Sequence, residues 1–195
     1  EALVTFQRGL CSPVPEQRRK PLKDGPMRLA LEPAHDLYGG IFFHEGRFRR
    51  VEGYRLLQAA GAIAELAPPS SERWYARHLP PEFRMGNAAA RDAAIHCLQA
   101  CIPHRTVLPV GVARIVPQAG WTQGYAIVHA VERLRNGNDF VFDLSIRNSE
   151  GDICEEWEGL QLRAVAPPVT PKAWPLPLLA PYLERKLDEL LASAG

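Results

Sequence analysis

The sequence predicts an α+β fold in which one long helix packs against a curved antiparallel sheet. Several segments alternate apolar and polar residues as strands do, and short turn sequences join them as antiparallel neighbours. A single Ala-rich segment has the composition of a helix. Apolar residues make up 46% of the chain and charged residues 23%, which is typical of a globular protein. One helix and several successive antiparallel strands define the fold class.

The chain divides by composition into three parts. Residues 1–26 hold a strand-like piece, Ala2–Phe6, and a polar connecting loop, which we interpret as the end of a preceding unit in a longer polypeptide. Residues 27–166 form the predicted folded body. Residues 167–195 contain a Pro-rich connector that runs to Pro181 and then a short amphipathic helix with Pro181 in its first turn. Four leucines recur in that helix at helical spacing: Leu183, Leu187, Leu190 and Leu191.

Strand signals follow one another along the folded body. The predicted strands are MRLALE from Met27, two segments within RVEGYRLLQAAGAIAEL separated by a glycine, VLPVGVARIVP, GYAIVHAVERL, DFVFDLSIRN and CEEWEGLQLRAV. NGND and NSEGD separate the last three segments and have turn chemistry, which predicts a meander.

The helical segment interrupts these strands. We predict a helix from Asn87 to about Ile102, because Asn87 is a suitable N-cap and Pro103 marks the stop. Spacing places Asp92 and His96 one turn apart on the same face.

A carboxylic acid is unusual on a helix that is otherwise small and apolar. If this face is buried, the environment would keep Asp92 protonated and ready to donate, with His96 holding its orientation. The alternative is that Asp92 neutralises the positive end of the helix and His96 belongs to a surface stripe. Gln99 extends the same face by a further turn.

Two further clusters invite a binding function. Cys97, Cys101 and His104 have a spacing that could converge on a metal, but no fourth ligand is near, so buried structural cysteines are favoured. Basic side chains could meet a phosphate or an acidic partner, although a solvated edge is favoured. They are Arg18, Arg19, Lys20, Arg47, Arg49 and Arg50.

Charge and composition exclude several classes of partner. The formal net charge of +1 provides no global field for nucleic acid or for a membrane. No window reaches the roughly 18–20 apolar residues of a membrane span, and the start lacks the apolar run of a signal peptide. The four cysteines are too scattered for a disulfide framework. We therefore expect a reducing, cytoplasmic location.

Four stretches, in order, resemble the second half of a dehydratase domain from a type I polyketide synthase. They are LYGGIFFHEGRFRRVEGY, GAIAEL, ARDAAIHCLQACIPHRTVLPVGVARI and GDICEEWEGLQLRAV. The flanks, including WPLPLLAPYLERKL, are most similar to iterative synthases of the enediyne type. That domain is a double hotdog, so the resemblance implies that this chain forms one hotdog, a long helix wrapped by a curved antiparallel sheet.

The resemblance also implies a reaction and a set of site residues. The reaction is elimination of water from a 3-hydroxyacyl thioester held on the phosphopantetheine arm of an acyl carrier protein. Asp92 would be the general acid and His96 would orient it. The side chains expected to contact the acyl chain are Phe42, Phe43, Phe48, Leu108 and Pro109. No metal or redox cofactor is implied.

Two departures from the family pattern affect these expectations. Glu45 and Gly46 stand where the aromatic loop usually has Gly-Pro. The catalytic histidine of the family lies in the first hotdog, and we interpret the near match that begins at His35 as a coincidence. The general base is therefore expected outside this chain, and the partner is the missing first hotdog or a second copy. A non-catalytic half that shapes the acyl tunnel, or an acyl-binding or cyclising module, remains an alternative.

Overall fold

The computed structural model describes residue 22 and residues 27–68, 87–118, 124–169 and 173–194. The predicted strand Ala2–Phe6 and the basic residues Arg18, Arg19 and Lys20 lie outside the described residues. The described strands are β1 (Val51–Gln58), β2 (Gly61–Leu66), β3 (Val107–Pro117), β4 (Ile127–Asn136), β5 (Asp139–Arg147) and β6 (Ile153–Ala164). The helices are α1 (Pro33–Asp36), α2 (Ala88–His96) and α3 (Leu176–Ala194), with 3-10 turns at Gly46–Phe48 and Cys97–Cys101.

All six strands form one antiparallel sheet in the order β1-β2-β4-β5-β6-β3. Gly137 and Gly151 have φ values of +57° and +93° in the two predicted turns, a conformation that favours glycine. The helix α2 and the 3-10 turn after it pack on one face of this sheet. The predicted α+β hotdog architecture is therefore confirmed.

A bulge in β6 lets both halves of that strand face the helix. Leu144 pairs with Trp157 and Phe142 pairs with Leu160, so β6 has one more residue than β5 between these pairs. Gly159, with a φ of +64°, lies in the extra stretch. Because side chains alternate along a strand, the extra residue changes which positions point inward.

A buried ion pair attaches α2 to β6. The Glu155 side chain is fully buried and accepts hydrogen bonds from Arg91 Nε at 3.0 Å and Nη2 at 2.7 Å. The Tyr125 hydroxyl and the Trp157 indole N–H also donate to this carboxylate. Successive side chains project about 100° apart around a helix, so Asp92 points away from this contact.

The helical segment changes geometry after its first two and a half turns. The Asn87 side chain caps it as predicted, but the α-helix ends at His96 and a 3-10 turn replaces the predicted continuous helix. Pro103 lacks the N–H that the Gln99 carbonyl would accept in an α-helix, and the Ile102 N–H donates to that carbonyl instead, at 3.0 Å. The missing donor explains why the last turn tightens.

The predicted strand Met27–Glu32 is wrong. The Leu29 N–H does donate to the Tyr54 carbonyl at 2.7 Å, but the Leu31 N–H turns back to the Leu29 carbonyl at 2.8 Å. Pro33 then begins α1. The alternating pattern therefore reflects a tight turn that buries Leu31 rather than a paired strand.

The C-terminal helix differs from the prediction in its start and its orientation. It begins at Leu176, so Pro181 lies inside the helix. The connector therefore ends before Leu176 and not at Pro181 as predicted. Arg185 is 1% exposed and donates to Glu132 at 2.7 Å, which fixes the face that meets the sheet. The predicted leucine stripe points outward and is more than half exposed: Leu183, Leu187, Leu190 and Leu191. None of the described helices has the length and apolar composition needed to cross a bilayer.

The basic segment is not a uniform solvated edge. Arg50 is 4% exposed and donates to the Ala67 carbonyl, which contradicts the expectation for this residue. Arg49 is exposed but donates to the Ala34 carbonyl at 3.1 Å. Each of these two side chains thus donates to a backbone carbonyl.

Replacing Glu155 with glutamine should lower the free energy of unfolding by about 3–5 kcal/mol, because the partly buried Arg91 guanidinium loses its countercharge and the new amide meets donors inside the core. Urea denaturation measures the change. Glu156→Gln, on the exposed side of the same strand, is the matched control and should change stability by less than about 0.5 kcal/mol. Equal effects of the two substitutions would contradict the assigned role.

His104 should make the protein less stable as the pH falls. Burial, reinforced by the Lys186 charge, lowers the pKa of His104 to about 4, whereas the unfolded chain has the ordinary value of 6.5. Protons therefore bind the unfolded state preferentially, and the free energy of unfolding should fall between pH 6.5 and 4. His104→Gln should flatten that part of the profile, whereas His35→Gln, at an exposed site, should not. A wild-type stability that rises over this range relative to His104→Gln would refute the assignment.

Candidate active site

A cavity of about 340 Å³ lies between the loop 41–48, α2 and the start of β3. All seven of the predicted site residues line it: Phe42, Phe43, Phe48, Asp92, His96, Leu108 and Pro109. The cavity also has His44 and Gln99 in its wall. The structure thus brings together side chains that are up to 67 positions apart in the sequence.

Asp92 and His96 lie side by side on α2, as their spacing predicts. His96 Nδ1 is 3.3 Å from Asp92 Oδ2, and the His96 side chain is 4% exposed. The Asp92 side chain keeps 35% of its exposed area, so it is less buried than the predicted protonation assumes, and that protonated state stays a prediction. The guanidinium of Arg91, the preceding residue on the helix, contacts Glu155 instead.

A second imidazole belongs to the same cluster. His44 Nε2 is 3.5 Å from Asp92 Oδ2, and its ring stacks on that of His96 with centroids 3.9 Å apart. The Phe43 ring also stacks on the His44 ring, with centroids 4.3 Å apart. Burial, and then the charge of His96, lowers the pKa of His44 below 6.5, whereas Asp92 acts in the opposite direction. The balance of these effects favours the neutral form of the His44 imidazole.

Sequence reasoning did not assign His44 to the site. It immediately precedes Glu45 and Gly46, which occupy the Gly-Pro position of the family loop, so His44 stands where that loop has an aromatic residue. Its imidazole stacks as an aromatic ring does, and the position in the motif was the signal that could have identified it.

Gln99 shapes the cavity through the backbone. Its Nε2 donates to the Ile102 carbonyl at 2.9 Å, and its Oε1 accepts from the Val107 N–H at 2.9 Å. These bonds tie the end of the helical segment to the first residue of β3. They place Leu108 and Pro109 next to the cavity, so the role of Gln99 is to position this wall.

The three predicted phenylalanines occupy different depths. Phe42 is 1% exposed and its ring meets that of His96 edge-on, with centroids 5.1 Å apart. Phe43 and Phe48 are 60% and 37% exposed. Together they form an apolar wall that runs from the buried histidine to the cavity mouth.

One cluster in the described part of the chain has ligand atoms close enough for a metal ion. It consists of His44, Asp92 and His96, whose ligand atoms lie within 4.8 Å of one another. Cys97 and Cys101 are not part of it, and burial raises the pKa of the Cys101 thiol to about 12. Both thiols are fully buried, as the structural interpretation of these cysteines expects.

Comparison with known proteins supports the family resemblance. A family model described as "Polyketide synthase dehydratase N-terminal domain" matches residues 15–171, which is most of the chain. A search of curated proteins found no match.

Solved dehydratase domains share the fold. The dehydratase domain of PpsC from Mycobacterium tuberculosis, in complex with C12:1-CoA, is 20% identical with a TM-score of 0.54, over 75% of this chain and 56% of that one. The dehydratase domain of a mycocerosic acid synthase-like polyketide synthase is 18% identical with a TM-score of 0.55, over 80% of this chain and 57% of that one. The chain thus spans little more than half the length of these domains. On the family match, the chain belongs to the polyketide synthase dehydratase family.

Proposed function

We propose that this chain is the second hotdog of a dehydratase domain in an iterative, enediyne-type polyketide synthase. The domain would eliminate water from a 3-hydroxyacyl thioester presented on the phosphopantetheine arm of an acyl carrier protein. The observation that carries this proposal is the Asp92–His96 contact in the wall of an apolar cavity. Because the matching family model is named for an N-terminal domain, the placement in the second half depends on the Asp-x-x-x-His helix and the Leu-Pro strand.

The contacts of Asp92 indicate which of its oxygens would donate a proton. Oδ2 is the oxygen that both His44 and His96 approach. Within the described residues, Oδ1 has no hydrogen-bond partner. A proton on Oδ1 would therefore be free to reach the β-hydroxyl of the substrate as its C–O bond breaks. A base takes the α-proton, and the products are an α,β-unsaturated thioester and water.

The cavity suits an acyl chain. Its walls are mainly apolar, with Phe42 inside and Leu108 and Pro109 along one side. The PpsC dehydratase domain was solved with C12:1-CoA, an acyl thioester, which supports the same class of substrate here. The proposed chemistry uses side chains alone and assigns no role to a metal or redox cofactor.

The exposed edge of the sheet supports a partner beside β3. Among the described strands, β3 has a neighbour on one side only, and it presents four apolar side chains that are 36–49% exposed: Leu108, Val110, Val112 and Ile115. An open apolar edge strand of 11 residues favours pairing with another chain or domain. The first hotdog would cover it and bring the catalytic histidine, or a second copy would cover it.

One observation favours a different source for the base. The His44 imidazole lines the cavity, with its Nε2 3.5 Å from Asp92 Oδ2. If the chain acts alone, this residue is the candidate base. His35, by contrast, is exposed on α1 and does not line the cavity.

Replacing Asp92 with asparagine should reduce dehydration by about 10²–10⁴-fold without unfolding the protein, because the amide cannot protonate the leaving hydroxyl. Turnover of a 3-hydroxyacyl carrier substrate by the complete dehydratase domain measures the loss. Asp188→Asn on α3, an exposed position, is the matched control and should keep full activity. Unchanged turnover in Asp92→Asn would instead support a tunnel-shaping or acyl-binding role.

The 195-residue chain alone should be inactive, or nearly so, in dehydration, because the proposed base lies outside it. Adding the preceding hotdog should restore turnover, followed by mass spectrometry of the carrier-bound acyl group. Robust dehydration by the chain alone would contradict this prediction. Loss of that activity in His44→Gln, with retention in His35→Gln, would then assign the base to His44.

A further inference from the structure

The Tyr38 hydroxyl lies between the backbone and the proposed active site. The Val51 N–H donates to it at 2.9 Å, and its oxygen is 3.2 Å from His96 Nε2. A backbone N–H can only donate, so the Tyr38 oxygen is the acceptor in the first contact. The hydroxyl proton remains available for a second bond.

Within the described part of the chain, His96 Nε2 is the acceptor that this proton can reach. Burial raises the pKa of Tyr38 to about 12, so the hydroxyl keeps its proton at neutral pH. A nitrogen that accepts this proton must be unprotonated, and a neutral imidazole then carries its hydrogen on the other nitrogen. That nitrogen, Nδ1, is the one that faces Asp92 Oδ2 at 3.3 Å.

We propose that Tyr38 is a positioning residue that holds His96 in its Nδ1–H tautomer and thereby determines which oxygen of Asp92 can carry a proton toward the substrate. With Nδ1–H donating to Oδ2, a protonated Asp92 carries its hydrogen on Oδ1. In the other tautomer the Nδ1 lone pair would face Oδ2 and attract the proton there, away from the substrate. The consequence for catalysis rests on the proposed dehydratase function, but the tautomer itself does not.

The Tyr38 ring is held independently of its hydroxyl. It meets Phe42 edge-on with centroids 5.3 Å apart, and the Arg49 guanidinium lies 4.7 Å above its centroid. Tyr38→Phe should therefore remove the hydrogen bonds and leave the ring in place. Tyr54→Phe is a matched control, because it removes a buried hydroxyl that donates to the Cys97 carbonyl at 2.7 Å without touching His96.

Nitrogen-15 NMR of the 195-residue chain at pH 8 tests the tautomer, with the His96 signals identified by their loss in His96→Gln. The wild-type protein and Tyr54→Phe should show a protonated Nδ1, and Tyr38→Phe should show a shift toward protonated Nε2. A protonated Nε2 in the wild type would overturn the proposal. This wild-type measurement tests the proposal even if Tyr38→Phe fails to fold. An unchanged tautomer in folded Tyr38→Phe would also overturn it.

Kinetics of the complete dehydratase domain test the consequence. Tyr38→Phe should lower kcat by about 10–100-fold with little change in KM. In a His96→Ala background the same substitution should have no further effect on kcat, because Tyr38 acts through His96. An equal loss in both backgrounds would indicate a merely structural role and overturn the proposal. If the expected tautomers are found but no variant or wild-type domain dehydrates the substrate, the proposed function fails and the assigned tautomer stands.

Discussion

The buried carboxylate of Glu155 is the constraint on which the arrangement of the site depends. A charge with no solvent exposure is tolerated only when its hydrogen bonds are satisfied, and here the donors come from α2, β6 and the segment before β4. Arg91 must therefore face the sheet. Because Asp92 is the next residue on the helix, its direction toward the cavity is a consequence of that pairing.

The strands could be predicted from sequence because a sheet with one buried face buries every second residue. Apolar and polar residues therefore alternate along each strand. The predictions failed where another force outweighed the pattern. Leu31 is buried by a tight turn before Pro33, which imitates alternation over a few residues. In α3 the leucine spacing is truly helical, but a single buried Arg185 with its Glu132 partner decides which face docks. A polar contact of this kind has no periodic signature.

The site residues also divide into those that local sequence patterns predict and those that only the tertiary structure shows. Asp92 and His96 are neighbours by helix geometry alone, so their spacing was sufficient. His44 and Tyr38 contact them from an irregular segment. In such a segment the spacing of residues along the sequence does not predict where their side chains point. Gln99 shares the predicted helix face, yet its amide bonds the backbone on both sides: Nε2 donates to the Ile102 carbonyl at the end of the tightened turn, and Oε1 accepts from the Val107 N–H at the start of β3. Local patterns therefore identified Asp92 and His96 as neighbours, whereas the supporting hydrogen bonds required the tertiary structure.

The extra residue at the Gly159 bulge changes which positions of β6 point toward the helix. Before it, Glu155 and Trp157 point to the helix, and after it Leu160 and Leu162 do, so inward positions change from odd to even. The Gly159 N–H is accepted by Asp143 Oδ1 at 2.9 Å, which holds the extra residue in place. In any relative that lacks this residue, the apolar positions of the second half of the strand must be shifted by one. The positions of the apolar residues before and after the bulge therefore indicate, from sequence alone, whether a related chain builds its core in the same way.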